Sequence, residues 1–461
     1  MAVDTEQRIH MVGIGGAGMS GIAHILKEMG KEITGSDLQR SETTDRLEAM
    51  GIRVFSGHSS ANLNKGTDLV VVSSAIPGSN PEMKKAQRLG IPVVKRGDML
   101  ASLVNSSQGI AVSGAHGKTT TTSMMAMLLE ENGFSPSFII GGELKETNIG
   151  SKLGRGDYFV AEADESDASF LKLNPYVVVV TNVEDDHLDF YRSIERLKDA
   201  FRQFIGQVKT GGFAVLCYED VFLRALKGSY RHLIYYGASP EADYYYTDLK
   251  THGWGNSFTV WHHDKELGRI NLTVPGCHNV QNALAAAAVA NELGIPFPGI
   301  RQTLKKFKGA KRRFQLMGSV NDILIVDDYA HHPTEIEATL KGVRQFHKGR
   351  LVVVFQPHRY TRTKILGTQF GESFRESDLL IVTGIYGAGE EPIEGVTGDI
   401  ICRSALEKGC NACYVADAED VVDLLKDEVK NGDMVIFMGA GDIWKVGYKT
   451  VAVLESTSPS A

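Results

Sequence analysis

Short apolar runs, separated by glycine-rich turns and amphipathic stretches, recur along the whole chain. Within residues 9–105 these runs are IHMVGIG, EITGSD, TDLVVVSSAI and IPVVKR. Buried parallel strands are apolar along most of their length, and the stretch GMSGIAHILKEMG after the first run has the apolar spacing of a helix. This part of the chain therefore predicts a small open parallel sheet with crossover helices.

The same alternation starts again near residue 109 and once more after residue 312. The second region begins with GIAVSG and KTTTTSMMAMLLEENG, continues through DYFVAEAD and PYVVVVTNVE, and ends with an alanine-rich segment at 278–294. Its alanines predict a helix that stops at Gly294 and Pro296. The third region opens with a hairpin-like strand pair and then alternates LVVVFQP, DLLIVTGIYGAG, NACYVAD and DMVIFMGAGDIW with helical stretches.

We therefore predict an α/β fold of three consecutive domains, and a chain of 461 residues has room for about two to four. The first is a Rossmann-like N-terminal domain (1–105), the second a central P-loop ATPase-like domain (106–311), and the third a Rossmann-like C-terminal domain (312–461). The polar segment SLVNSSQ at 102–108 is the predicted linker between the first two.

Composition narrows the class of protein. A net charge of -7 and a pI near 6.1 argue against a nucleic-acid partner, which requires a cationic face. The start of the chain has no signal pattern and no apolar run is long enough for a membrane span, so we expect a cytoplasmic protein without a membrane partner. The five cysteines do not form a disulfide framework, and the CNAC pair Cys410 and Cys413 is more typical of two half-buried thiols than of a zinc site.

The segment GIGGAGMSG at 13–21 places glycines between a predicted strand and a predicted helix, at Gly13, Gly15, Gly16 and Gly18. Such a loop lets the backbone approach a diphosphate, which the N–H groups at the helix start can bind. Asp37 closes the next strand, where a dinucleotide fold holds its ribose-binding acid. The alternative is a tight strand-to-helix turn without a ligand.

A second loop, GAHGKTTTT, departs from the standard pattern G-x-x-x-x-G-K-[ST], because Val112 stands where the first glycine should be. The shorter form G-x-x-G-K-T, from Gly114 to Thr119, can still present backbone donors to a nucleotide. Lys118 would neutralise phosphate charge, and Thr119 is a candidate magnesium ligand. The alternative is a helix start with an incidental lysine.

Two acidic segments follow predicted strands of the same region, and carboxylates at this edge of a parallel sheet could hold the Mg²⁺ of a nucleotide. Mg²⁺ uses only one or two carboxylates, so most of these acids are solvated or cap helices. The candidates are Glu162, Asp164, Glu165 and Asp167 in the first segment, and Glu184, Asp185, Asp186 and His187 in the second.

The third region carries DDYAHHPTE (327–335) and QPHRYTRT (356–363), each after a predicted strand. Arg359 and Arg362 lie three residues apart and, with His358, could form a cationic cluster that binds a carboxylate or phosphate. A solvated arginine-rich loop is the alternative.

These motifs together resemble the Mur ligases over residues 9 to about 445, in order and with the spacing of that family. The segments that carry the resemblance are GIGGAGMSGIA, GAHGKTTTT, AEADESDASF, NVEDDHLD, GCHNVQNALAA, DDYAHHPTE and QPHRYTRT. The resemblance implies that ATP phosphorylates the lactyl carboxylate of UDP-N-acetylmuramate, that the amine of L-alanine attacks the acyl phosphate, and that ADP and phosphate leave. ATP and Mg²⁺, with Mn²⁺ as a substitute, are the implied cofactors.

The family's functional residues map onto this sequence as follows. Implied ATP-binding residues are Gly114, Ala115, His116, Gly117, Lys118, Thr119, Thr120, His278, Asn279, Asn282, Arg313, Asp328 and Tyr329. Implied UDP-sugar-binding residues are Gly13, Gly15, Gly16, Gly18, Met19, Ser20, Asp37, Ser73, Ser74 and Asn148. Implied metal ligands are Thr119, Glu162 and His187. Implied catalytic residues are Lys118, Glu162, His187, His358, Arg359 and Arg362.

Two positions depart from the family pattern. Several Mur ligases carry a carbamylated lysine after the DDHLD segment, where this chain has Arg202, so that modification is not predicted. The usual GTHGKT reads GAHGKT, with Ala115 in place of threonine, and one hydroxyl contact is therefore in doubt. His358 is the candidate base for the attacking amine, and solvent is the alternative.

Two other functions remain open from the sequence. One is a related ligase that joins a tripeptide to the same sugar nucleotide, which requires a roomier amino-acid pocket. The other is a nucleotide-binding regulator that forms no bond, although such a protein need not keep Lys118, Glu162, His187 and Arg359 together. We expect a monomer or a homodimer.

Overall fold

The computed structural model describes residues 7–145, 147, 149–184 and 188–457. Within these ranges the chain forms two compact units. The first comprises residues up to 248 together with 258–270 and 281–307, and the second comprises residues from 308 onward together with 249–257 and 271–280. None of the described helices is both long enough and apolar enough to cross a membrane.

The N-terminal region is a five-stranded parallel sheet with the strand order β3-β2-β1-β4-β5. Its strands are β1 (Arg8–Val12), β2 (Glu32–Asp37), β3 (Arg53–Ser56), β4 (Leu69–Val72) and β5 (Val93–Lys95). Its helices are α1 (Ala17–Glu28), α2 (Glu42–Ala49), α3 (Pro81–Leu89) and α4 (Arg96–Asn105), with a short 3-10 helix at Ser60–Asn62. The order reverses between β1 and β4, so the carboxyl end of β1 lies at the crevice where such sheets bind ligands.

The predicted linker at 102–108 is wrong in its first part. Residues 102–105 belong to helix α4, and Gln108 already begins the next strand. Leu103 and Val104 are buried, and their burial keeps the segment helical despite its Ser and Asn residues.

The central region contains a ten-stranded sheet with the order β15-β14-β13-β12-β11-β10-β6-β9-β7-β8. Its strands are β6 (Gln108–Ser113), β7 (Ser137–Ile139), β8 (Ser151–Lys152), β9 (Tyr158–Glu162), β10 (Val177–Val180), β11 (Phe213–Cys217), β12 (Leu233–Gly237), β13 (Tyr244–His252), β14 (Gly255–His262) and β15 (Lys265–Leu272). The core strands pair in parallel, with β6 between β9 and β10. Their valine and isoleucine runs suit strands that are buried on both faces.

Helices cover this central sheet. They are α5 (Lys118–Glu131), α6 (Leu188–Tyr191), α7 (Ile194–Gly206), α8 (Val221–Arg224), α9 (Cys277–Glu292) and α10 (Phe297–Lys306), with a 3-10 helix at Ser169–Lys172. Helix α5 is buried continuously from Thr119 to Leu129, which is why its sequence lacks a polar face. The alanine-rich helix predicted at 278–294 is confirmed as α9.

The second unit is built on a six-stranded sheet with the order β16-β17-β21-β18-β19-β20. Its strands are β16 (Gln315–Val320), β17 (Ile323–Asp328), β18 (Leu351–Phe355), β19 (Leu379–Thr383), β20 (Ala412–Val415) and β21 (Met434–Met438). Its helices are α11 (Pro333–Phe346), α12 (Tyr360–Ser373), α13 (Asp399–Glu407), α14 (Asp420–Glu428) and α15 (Ile443–Thr457). The predicted hairpin is the antiparallel pair β16 and β17, and the other pairs are parallel.

Each face of the six-stranded sheet packs its own apolar cluster. Val353 and Phe355 of β18 point into one cluster, while Val352 and Val354 point into the other, as the two-residue period of a strand requires. The α/β class predicted for all three regions is confirmed by these sheets.

Candidate functional site

The first glycine loop connects β1 to α1 and is held by the end of β2. The backbone N–H groups of Gly13 and Ile14 both donate to the Ser36 carbonyl, and Gly15 N–H donates to Asp37 Oδ2 at 2.8 Å. Gly13 has φ of +78°, and a Cβ there would lie 3.0 Å from Cβ of Ser73. The loop therefore needs glycine both for its conformation and for its approach to the end of β4.

Asp37 also lines a cavity of about 170 Å³ beside this loop. The other lining residues are Gln39, Arg40, Thr44, Glu48, Val54, Phe55 and Ser56. A carboxylate at the end of the second strand, next to an open cavity, is where dinucleotide folds hold a ribose. Asp37 therefore lies at an open cavity, and its contact with a nucleotide stays a prediction.

The remaining residues predicted for the sugar nucleotide differ in exposure. Ser73 is half-buried, whereas Ser74 and Gly16 are exposed, and Gly16 is the N-cap of α1. Met19 is 1% exposed and its N–H donates to the Gly16 carbonyl, and its contact with the sugar nucleotide stays a prediction. Ser20 N–H donates to the same carbonyl, so both residues secure the first helical turn.

Gly18 lies beneath the side chain of Arg96, whose Nη1 would be 3.0 Å from a Cβ at that glycine. Asn148 lies outside the described residues, as does His187 among the predicted metal ligands and catalytic residues.

The second glycine loop connects β6 to α5 and contains two left-handed glycines, Gly114 with φ of +126° and Gly117 with φ of +83°. A Cβ at Gly114 would lie 2.2 Å from Thr181 Oγ1, and one at Gly117 would lie 2.5 Å from Asn282 Oδ1. Neither position can accept a side chain without moving its neighbour. Val112 is a fully buried residue of β6, so the turn begins only after that strand, as the sequence predicted.

Thr181 and Asn182, which follow β10, clamp the backbone of this loop. Ala115 N–H donates to the Asn182 carbonyl at 3.2 Å, and His116 N–H donates to Asn182 Oδ1 at 2.9 Å. The Thr181 hydroxyl donates to the carbonyls of Ser113 and His116, the latter at 2.5 Å. The clamp occupies two loop N–H groups, and the donors that face a phosphate must come from later in the turn.

Lys118 is held inside this loop by groups of the protein itself. Its Nζ donates to the Gly114 carbonyl at 2.6 Å and to Glu165 Oε1 at 2.6 Å. Burial disfavours the charged ammonium, but the carboxylates of Glu165, Asp164 and Glu162 outweigh it and raise the pKa of Lys118. The lysine is therefore firmly cationic, as phosphate binding requires.

Thr119 and Thr120 are buried in the first turn of α5, and Glu162 ends β9 on the neighbouring strand. Gly141 N–H donates to Glu162 Oε1 at 2.6 Å, and a Cβ on the next residue, Gly142, would contact the Thr119 methyl at 3.4 Å. Hydroxyl and carboxylate oxygens are ligands that Mg²⁺ prefers, and Thr119 and Glu162 carry one of each next to this turn.

In the part of the chain that the structure describes, no group of three or more His, Cys, Asp or Glu side chains could hold a metal by itself.

The start of α9 contains the residues predicted to meet adenine. The Asn282 side chain is buried, and its Oδ1 accepts the Thr121 hydroxyl at 3.3 Å and lies against Gly117. Asn282 therefore supports the phosphate loop. The Asn279 amide donates to the Pro275 carbonyl at 2.7 Å, and burial, together with nearby Arg313, lowers the pKa of His278 to about 4.

In the second unit, Asp328 caps the end of β17. Its carboxylate accepts from the N–H groups of Phe314 and Ala330 at 2.8 and 2.9 Å, and burial raises its pKa. The Tyr329 ring lies under the guanidinium groups of Arg312 and Arg313, at 5.0 and 4.9 Å. These contacts fix a planar, cationic surface at this edge of the sheet.

His358 lies between two aromatic rings in the same unit. Its ring stacks on Tyr386 at 5.7 Å and meets His331 edge to face at 5.7 Å. Burial lowers the pKa of His358 to about 3, and neighbouring His331, Arg362 and Arg359 add to the effect. Amines titrate several units higher, so the low pKa argues against His358 as the general base.

Arg359 has φ of +73° and ψ of 136°, a rare conformation for a residue with a side chain. Its N–H donates to the Tyr386 carbonyl at 2.8 Å, and its carbonyl accepts from Thr363 at the start of α12. Backbone strain of this kind is common at functional sites.

Sequence reasoning missed the supporting residues. Glu165 was one of several acids in ADESD, and only its burial distinguishes it as the partner of Lys118. Thr181 and Asn182 follow a strand end beside the phosphate loop, and a polar pair at that position was the available signal.

The chain has the features of a multidomain α/β enzyme that binds phosphorylated substrates. These features are a glycine loop between strand and helix, a lysine-bearing phosphate loop on a parallel sheet, and arginines at the edge of a further α/β sheet. Family models match nearly the whole chain, as the Mur ligase family catalytic domain (8–108), the Mur ligase middle domain (112–290) and the Mur ligase glutamate ligase domain (312–441). The chain belongs to the Mur ligase family, which confirms the resemblance.

Similar proteins cover nearly the full length of the chain. The UDP-N-acetylmuramate–L-alanine ligase of Syntrophomonas wolfei is 51% identical over 98% of both chains, and that of Pelotomaculum thermopropionicum is 50% identical over 98% of this chain and 99% of its own. The crystal structure of UDP-N-acetylmuramate-alanine ligase from Thermotoga maritima superposes with a TM-score of 0.85 at 29% identity, covering 98% of this chain and 100% of its own. The crystal structure of a murein peptide ligase from Psychrobacter arcticus superposes with a TM-score of 0.74 at 26% identity, covering 99% of this chain and 100% of its own.

Proposed function

We propose that this chain is an ATP-dependent ligase that joins L-alanine to the lactyl carboxylate of UDP-N-acetylmuramate, the first peptide step in making the cytoplasmic precursor of peptidoglycan. Its main support is the full-length identity of about half to ligases with that name. The lysine-bearing phosphate loop adds independent physical support, because Lys118 is charged and positioned at the start of a buried helix.

In this proposal ATP binds at the second glycine loop, with Lys118 on its phosphates. Thr119, Glu162 and His187 would hold Mg²⁺, and the oxygen donors of the first two suit this ion. Bound Mg²⁺, or Mn²⁺ as a substitute, would neutralise phosphate charge and polarise the γ-phosphate. The remaining adenine-side residues are proposed to be His278, Asn279 and Arg313 with Asp328 and Tyr329.

The first step brings together two anions, the triphosphate of ATP and the lactyl carboxylate, and cationic side chains offset their repulsion. The lactyl carboxylate oxygen attacks the γ-phosphorus, the bond from that phosphorus to the β–γ bridging oxygen breaks, and ADP leaves. The amine of L-alanine then attacks the acyl carbon, and phosphate departs with the electrons of the carbon–oxygen bond. Lys118 stabilises the charge on the transferred phosphoryl group.

Arg359 and Arg362 are proposed to bind the carboxylate of L-alanine and the acyl phosphate. A guanidinium binds a carboxylate through two parallel hydrogen bonds, which would orient the amine. Neutral His358 would contribute a hydrogen bond next to them. Because its pKa is low, we assign the proton released by the amine to solvent.

Phosphate release separates the candidate functions. The assay contains UDP-N-acetylmuramate, ATP and Mg²⁺, and receives L-alanine, glycine, L-serine or the L-alanyl-γ-D-glutamyl-diaminopimelate tripeptide in turn. We expect release that depends on both the sugar nucleotide and L-alanine. Release only with the tripeptide would select the related recycling ligase, and no release with any addition would favour a non-catalytic regulator.

The cytoplasmic location and the monomeric or homodimeric state also remain proposals. Cytoplasmic reaction is supported by the nature of the substrates, ATP and a nucleotide sugar. Analytical ultracentrifugation with and without ATP tests the oligomeric state.

A further inference from the structure

Arg96 is the first residue of α4, and the backbone of this helix start rests on the central region. A Cβ on the next residue, Gly97, would lie 2.5 Å from the Ser169 Cβ in the 3-10 helix of that region. Lys172 of the same 3-10 helix pairs with Asp98 at 2.5 Å. The start of α4, a helix of the N-terminal region, is therefore packed against the central region, and the Arg96 side chain extends from this contact.

The Arg96 guanidinium lies over the first glycine loop. Its Nη1 would be 3.0 Å from a Cβ at Gly18, and the side chain is only 17% exposed. Gly18 belongs to the first turn of α1, whose free N–H groups carry a partial positive charge. A largely buried cation beside a positive helix end is unfavourable unless an anion joins both.

Within the described residues, one carboxylate faces this guanidinium. Asp164 Oδ2 lies 3.4 Å from Nη2, a long contact. Asp164 is itself fixed, because its Oδ1 accepts the Ser166 N–H at 3.0 Å and its carbonyl accepts the Ser169 hydroxyl. Asp164 orients Arg96 from the side of the central region, and its weak contact leaves the guanidinium able to bind a further anion.

We propose that Arg96 binds the diphosphate of the UDP-sugar at the first glycine loop, and that Asp164 positions it for that contact. This inference rests on the proposed function, which supplies the sugar nucleotide. It assigns the diphosphate a side-chain cation in addition to the loop N–H groups. Since Arg96 also contacts Asp164 of the central region, a diphosphate held by Arg96 is linked to the region that carries the ATP loop.

Calorimetric titration with UDP, without ATP, tests the assignment. Arg96→Ala should weaken UDP binding roughly tenfold to a hundredfold, the range expected for hydrogen bonds to a charged group. Uridine affinity, followed by NMR, should stay unchanged, because uridine has no phosphate. The UDP affinity of Arg96→Lys should fall between those of wild type and Arg96→Ala. Arg88 is exposed on α3, and Arg88→Ala, the matched control, should bind UDP like wild type.

Equal UDP affinity in Arg96→Ala and wild type would overturn the inference while leaving the ligase proposal intact. Equal losses for UDP and uridine would also overturn it, because they would indicate a general defect. Wild-type protein that binds no UDP would instead contradict the sugar-nucleotide assignment of the proposed function. Thermal unfolding of each variant identifies any that fail to fold, and Arg96→Lys then carries the test.

The role of Asp164 has its own measurement. Asp164→Asn should weaken UDP binding by less than Arg96→Ala, and should have no further effect in an Arg96→Ala background. Tighter UDP binding in Asp164→Asn would contradict a positioning role, because it would mean that the carboxylate only repels the diphosphate.

Discussion

Lys118 and Glu165 form an ion pair inside the phosphate loop, with Nζ of the lysine 2.6 Å from Oε1 of the glutamate. Glu165 is 2% exposed and also accepts the Ser113 hydroxyl at 3.3 Å. The charge of the loop lysine is thus neutralised by a carboxylate of the protein itself. A nucleotide that binds here must offer Lys118 a better anion than the one it already has.

Replacing Lys118 by methionine should reduce phosphate release at least about a hundredfold, the usual cost of losing one preorganised contact to transition-state charge. UDP binding, measured by calorimetry, should persist because the sugar nucleotide uses the first loop. Loss of UDP binding as well would contradict the division of labour between the two loops.

Replacing Glu165 by glutamine should destabilise the ligand-free protein by about 3 kcal/mol, because a largely buried ammonium loses its carboxylate. The Lys118→Met, Glu165→Gln double variant should lose less than the sum of the single variants, with a coupling of about 0.5–3 kcal/mol. Urea denaturation measures all three. Strict additivity would show that the two side chains do not stabilise each other.

Replacing Asn182 by alanine leaves the His116 N–H without its acceptor and should cost about 1–3 kcal/mol, part of it as weaker ATP binding. Asn182→Asp keeps an acceptor oxygen and should retain more of the stability, yet bind ATP poorly because it adds negative charge. The dissociation constant for Mg·ATP and the midpoint of urea unfolding are both measured for wild type and for each variant. If Asn182→Ala binds ATP like wild type, the clamp does not shape the phosphate site.

Two variants of Arg359 test whether the backbone at this position stores strain and whether its guanidinium is needed for activity. Arg359→Gly and Arg359→Ala both remove the guanidinium, but glycine tolerates φ of +73° and should be about 1–2 kcal/mol more stable than alanine. Both should lose ligase activity. Equal urea midpoints for the two variants would show that the backbone relaxes and that no strain is stored.

Acid should destabilise the second unit through His358. Its pKa falls from about 6.5 in the unfolded chain to about 3 in the folded one, so only the unfolded state gains the proton between these values. Stability should therefore decline as the pH falls below 6.5. His358→Gln should show a smaller loss between pH 7 and pH 5 by urea denaturation. An identical pH dependence would mean that this imidazole titrates normally in the fold.

The parallel strands were predictable because they are continuous apolar runs bounded by turn-forming residues, as in Val177–Val180 of β10, which lies between Pro175 and Asn182. The strands β13 to β15 were not predicted. Their residues alternate between polar and apolar, as in Lys265–Leu272, and few of them form an apolar run. The helix through 102–105 was mistaken for a linker because local polarity hid a tertiary contact.

For the site, glycine loops and charged residues after strands were visible as short motifs. The partners Thr181, Asn182 and Glu165 were not, because each acts on a residue far away in sequence. The low pKa of His358 also depends on neighbours from three separate segments of the chain, whereas the sequence shows only that the residue is a histidine. The spacing of residues along the chain can identify reactive side chains. Their protonation states depend on how deeply each is buried and how far it lies from charged neighbours.

The clamp from the end of β10 also limits what the loop can do outside this protein. Residues 114–119 owe their shape to Thr181 and Asn182, and these reach the loop only because β10 pairs with β6. Grafting the GAHGKT segment alone onto another scaffold should therefore not transfer nucleotide binding. A transplant would have to carry both strands and the polar pair that follows the second.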